Sequence, residues 1–118
     1  MADHYEKNQE LYEDLLFMLE EGSERVYWED VHSNVHYYEG DTCPVGPSPQ
    51  KRGLQVGEFD TILVNYDDRN AFYFEVKTAP GQVDYGMEQL DRAREFFDGD
   101  LNDEDEWAVI GDLYLDYS

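Results

Sequence analysis

Two apolar segments separated by a short polar turn constrain this chain more than any other feature. Residues 54–65 read LQVGEFDTILVN and residues 71–78 read AFYFEVKT, with YDDRN at 66–70 between them. Both are rich in Val, Ile, Phe and Tyr, and the connection is only five residues, so the pair reads as an antiparallel hairpin. Side chains alternate across a strand. Phe72, Phe74 and Val76 therefore point to one face, and Tyr73, Glu75 and Lys77 to the other. A glutamate and a lysine thus share a face with a tyrosine, at the end of an aromatic strand.

The rest of the chain supplies elements to cover that hairpin. Residues 5–21 carry Leu11, Leu15, Met18 and Leu19 at helical spacing, with Gly22 just past the end where helices commonly stop. Residues 25–40, RVYWEDVHSNVHYYEG, read as a strand, or as two short strands around His32–Asn34. Residues 41–53, with three prolines and two glycines, exclude regular structure and carry the adjacent basic pair Lys51–Arg52. After the hairpin, APGQVD breaks the chain. A second helix follows over 84–97, with Asp84 as N-cap and Gly86, Gln89, Leu90, Ala93, Phe96 and Phe97 along one face. The acidic stretch DGDLNDEDE leads to a final strand at 107–117. The order α-β-β-β-α-β implies a single α/β (α+β) domain over residues 1–118, a central mixed sheet flanked by two helices.

Composition bounds the surface and the chemistry. The chain has 29 Asp and Glu against 8 Lys and Arg, a formal charge of −21, yet 41% of its residues are hydrophobic. That is too much apolar content for an acidic disordered tail, and it fits a folded domain with a salt-adapted, halophile-like surface. Such a charge repels nucleic acid at low salt, because Lys and Arg contacts to phosphate supply most non-specific affinity. Molar salt cuts the Debye length to about 3 Å and removes most of that repulsion. Cys43, the lone cysteine, rules out an internal disulfide, and His4, His32 and His36 form no recognisable ligand set. No run reaches the roughly 20 apolar residues of a membrane span and the N-terminus is polar, so a cytoplasmic protein without membrane contact is expected.

The chemistry concentrates on Asp60, Glu75 and Lys77. Glu75 and Lys77 lie two apart on one strand, and Asp60 lies on its neighbour across the turn. Two carboxylates on paired strands suit a hard divalent ion such as Mg²⁺ or Mn²⁺, which takes one or two carboxylates and fills its shell with water and phosphate oxygens. Such an ion acidifies a water and neutralises charge developing on phosphorus, and a nearby ammonium stabilises the same charge. The chain has only three lysines, Lys7, Lys51 and Lys77, which makes the placement of Lys77 more telling than a Glu-x-Lys pair alone.

GEFDTILVN, a short turn and FYFEVKT together resemble the signature of the PD-(D/E)XK nuclease superfamily, whose restriction-endonuclease-like αβββαβ core has the element order read above. Phe59 stands where the family often has proline, and Gly57 and Glu58 fit the Gly-Glu-hydrophobic-Asp variant. The resemblance implies that Asp60 and Glu75 hold the metal, with Lys77 beside them. It further implies a metal-site acid on the first helix, Glu10 in preference to Glu13, and a role for Gln89 in the active site. Lys51 and Arg52 become candidate substrate contacts. The expected activity is metal-dependent hydrolysis of DNA phosphodiesters, with branched DNA among the substrates by likeness to archaeal Holliday-junction resolvases, acting as a homodimer or with a partner protein. Those resolvases are basic, whereas this chain carries a formal charge of −21. The competing expectation is a non-catalytic nuclease-like binding module or an acidic mimic of DNA.

Overall fold

The computed structural model describes residues 4–21, 27–41, 43–45, 53–97 and 107–117. Helix α1 spans His4–Glu21, and three strands follow: β1 (Asp30–Tyr38), β2 (Gln55–Asn65) and β3 (Asn70–Lys77). A 3-10 turn at Pro80–Gln82 runs directly into α2 (Val83–Phe97), and β4 (Ala108–Leu115) closes the order. The expected α-β-β-β-α-β sequence of elements is therefore present, as an α+β fold. Within the stretch read as one strand or two, the described residues form a single strand, Asp30–Tyr38. Asp84 lies inside the first turn of α2 rather than at its cap, because Pro80 starts a 3-10 turn that feeds straight into the helix. Its charge still favours the positive end of the helix dipole.

The four strands form one mixed sheet in the order β1-β2-β3-β4. The β1–β2 and β2–β3 pairs are antiparallel, and β3–β4 is parallel because α2 carries the chain back between them. The helices take opposite faces. Tyr73 donates its hydroxyl to the Leu90 carbonyl of α2 at 2.8 Å, whereas Thr61 donates to Asn8 Oδ1 of α1 at 2.7 Å. On the α2 face the core is aromatic: Tyr37, Phe59, Tyr73 and Phe97 are buried, with the Phe59 ring 4.9 Å from Tyr37 and 4.7 Å from Tyr73. Rings of this kind bury some 150–250 Å² each and add roughly 0.5–1.5 kcal/mol per pair beyond area alone. Leu11, one turn on from Asn8, and the cross-strand partners Val31 and Leu63 are buried on the α1 side.

The sheet is irregular at Asp60. Phe59 and Thr61 are two apart on β2 and should share a face. Instead Phe59 packs among the rings on α2's side, while Thr61 bonds Asn8 of α1. The strand changes face across Asp60. Opposite Asp60 on β1, Asn34 is skipped by the ladder and has φ 54°, a left-handed conformation that asparagine tolerates better than most residues. Asn8 Nδ2 donates to Asn34 Oδ1 at 3.3 Å, so one buried amide of α1 ties both distorted strands together.

Candidate active site

The β2–β3 ladder runs from Asn65↔Asn70 to Thr61↔Phe74, and there the strands part. Asp60 is the next residue of β2, freed by the face change to aim along the sheet into the gap. Its Oδ2 accepts the Val76 amide at 2.7 Å, taking a backbone donor that the broken ladder would otherwise strand. Glu75 is the matching residue of β3. It is 1% exposed, and neither carboxylate oxygen has a hydrogen-bond partner. Burial pushes its carboxyl well above the usual carboxylate range, and the adjacent Asp60 charge pushes it the same way. Two acids close enough to share a proton, one of them wholly without donors, are costly unless a cation or a proton compensates them.

Lys77 follows two residues on, with the same facing. Its Nζ donates to Gln89 Oε1 on α2 at 2.6 Å and lies 5.2 Å from the centre of the Tyr85 ring. The lysine is 6% exposed, so its stem threads between the sheet and α2. Gly86 makes room for it: a Cβ there would lie 3.0 Å from Lys77 Cε and 2.7 Å from Leu113 Cδ2. The single polar residue in the apolar stripe of α2, Gln89, thus finds its partner in the lysine.

The fourth group was not anticipated. His4 Nε2 lies 3.0 Å from Asp60 Oδ2, and this hydrogen bond raises the imidazole above its ordinary pKa. Glu10, the acid expected from this helix, is not brought to the pair. It sits roughly 120° around the helix from His4, with its side chain 64% exposed and 3.9 Å from Lys7. Glu13 is also exposed, and bonds Gln9. Lys7 instead reaches Asp116 Oδ2 at 3.2 Å, fastening α1 to the end of β4. A sequence signal for His4 existed: carried backward, the helical line of Leu15 and Leu11 passes through Asn8 and His4.

The remaining histidines are engaged elsewhere, His32 with Asp30 and Tyr66 and His36 with Glu58. Lys51 and Arg52 lie outside the described residues. An apolar groove of about 230 Å³, lined by Tyr27, Trp28, Phe72 and Ile110 among others, sits at the far end of β3 and shares no residue with the acids. Among the described residues, no three His, Cys, Asp or Glu side chains form a ready-made cage for an ion. The donors at hand are two carboxylates with an imidazole on one of them, which suits an ion that fills its shell with water and substrate oxygens. Among the described residues, no helix is long and apolar enough to cross a membrane. Compared with protein-family models, with curated proteins and with solved structures, the chain matches none.

Proposed function

We propose that the chain is a Mg²⁺- or Mn²⁺-dependent nuclease of the PD-(D/E)XK type, with a restriction-endonuclease-like core, that hydrolyses DNA phosphodiesters from a salt-adapted, acidic surface. The observation that carries this reading is Glu75: a buried carboxylate with two unsatisfied oxygens, beside a second carboxylate, at the point where two strands part. A protein keeps so unfavourable a group where the group has work to do. The Asp, Glu-x-Lys and Gln motifs support the same reading, as does the order of elements.

Each residue then has a defined task. Asp60, held by the Val76 amide, and Glu75 would hold the ion, and His4 is placed to steady Asp60 or to offer a nitrogen donor. A nitrogen donor would favour Mn²⁺ over Mg²⁺. The chemistry a divalent cation supplies when bound there is Lewis acidity, which acidifies a water and neutralises charge on the phosphorus. Lys77, pinned by Gln89, presents a fixed positive charge to the phosphate as negative charge builds on it. Because the ammonium is oriented before reaction, no reorganisation is needed in the transition state.

The test is Mn²⁺- or Mg²⁺-dependent cleavage of linear, branched and single-stranded DNA in molar KCl. We expect Lys77→Ala to lose about 10²–10³ in rate, the usual effect of deleting one preorganised electrostatic contact. Unchanged cleavage by that variant would remove Lys77 from the mechanism. Gly86→Ala tests the packing of the lysine separately. Alanine gains about 1 kcal/mol over glycine in helix propensity, offsetting the displaced side-chain ends, so melting should move little. Cleavage should nevertheless fall about tenfold as Lys77 is shifted from Gln89, and equal losses of stability and activity would contradict this.

A further inference from the structure

We infer that Tyr85 is a stacking platform, and that the site takes unpaired nucleotides rather than intact duplex. This rests on the nuclease reading above and names its substrate class. Tyr85 is the third residue of α2; its ring lies 5.2 Å from Lys77 Nζ, yet the residue remains 53% exposed. A large aromatic is thus held at the active-site lysine with much of its surface open to solvent. The ammonium that meets the scissile phosphate also fixes this ring. A nucleobase lies only one sugar away from its phosphate, so an unpaired base beside the scissile bond comes within reach of the ring. In a duplex that base is stacked on its neighbours and its face is closed.

The charge balance points the same way. With 29 acidic residues against 8 basic ones, the chain cannot gain much affinity from phosphate contacts, which salt weakens further. Stacking on an aromatic ring is tolerant of sequence, because every base has a π-face, and it does not rely on opposite charge. An acidic protein working in high salt can hold single strands in this way where it cannot hold a duplex backbone.

The experiment measures anisotropy of a labelled single-stranded oligonucleotide and of the matching duplex in molar KCl with Ca²⁺, alongside cleavage with Mn²⁺. Wild type is expected to prefer the single strand. Tyr85→Leu should weaken that binding about 10- to 100-fold, the range for losing one base–aromatic stack, and raise KM more than it lowers kcat. Tyr85→Phe, which keeps the ring, should restore both, and 2-aminopurine next to the scissile bond should be quenched by wild type and Tyr85→Phe but not by Tyr85→Leu. Cleavage that depends on Asp60 while Tyr85→Leu binds single strands as wild type does, or a wild-type preference for duplex, would overturn this inference alone. No binding or cleavage of any nucleic acid would overturn the nuclease reading, and this inference with it.

Discussion

Replacing Asp60 with alanine is expected to lower metal-dependent cleavage by at least about a thousand-fold, because on the proposed function it would remove both an ion ligand and the group that orients its surroundings. Asp60 Oδ2 accepts from the Val76 amide and from His4, so alanine also leaves a buried N–H unpaired. That should cost about 1–3 kcal/mol of stability. Asp60→Asn separates the two effects: its side-chain oxygen can still accept from Val76, so the fold should hold while the charge that binds the ion is lost. We expect Asp60→Asn to melt near wild type, to cleave no faster than Asp60→Ala, and to show no Mn²⁺-induced rise in melting temperature. Retained cleavage in either variant would contradict the assigned role.

Glu75→Gln is expected to make the protein more stable and inactive at once. In the metal-free protein, the Glu75 carboxyl is held above the ordinary range by burial and by Asp60. The unfolded chain releases this proton near pH 4 to 4.5, whereas the folded chain retains it to higher pH. The folded state therefore binds more protons across that window, and stability falls as pH rises from the ordinary carboxylate range through neutrality. Glutamine cannot ionise, and its amide can donate to Asp60. At pH 8 without metal, Glu75→Gln should be more stable than wild type by about 1–3 kcal/mol, on the scale of a hydrogen bond to a charged group. Below pH 4 the advantage should largely vanish. A divalent ion should reverse the ranking by stabilising wild type and not the variant. Equal pH profiles from urea melts of the two proteins would show that Glu75 is not the strained group.

Much of this site could be read from the chain because it depends on strand period. A spacing of two fixes Glu75 and Lys77 on one face whatever surrounds them, and a short turn fixes β2 against β3. Gln89 was legible as the polar break in an apolar helical stripe. The helix α1 contribution was harder, since a helix rich in acids offers several phases and the distance to its end does not choose among them. The packing of Leu11 and Asn8 chose, and it brought His4 rather than Glu10 to Asp60. The face change at Asp60 could not be read at all. It follows from the Asn8, Thr61 and Asn34 bonds, which join residues distant in sequence. Asn34 in a left-handed conformation also explains why one strand passes through a stretch that reads as two.

The surface and the site are governed by separate demands. On the proposed function, the acidic exterior would set the conditions in which substrate approaches, while Asp60 is compensated locally by an amide and an imidazole and Glu75 would be compensated by an ion. Assays at low salt would therefore measure repulsion at the surface more than chemistry within.

The most direct measurement is anomalous diffraction from a crystal soaked in Mn²⁺ at pH 8. A manganese peak within coordinating distance of both Asp60 and Glu75 carboxylates is the expected result. Density that leaves Glu75 without a cation, with manganese bound only at the acidic surface, would contradict it.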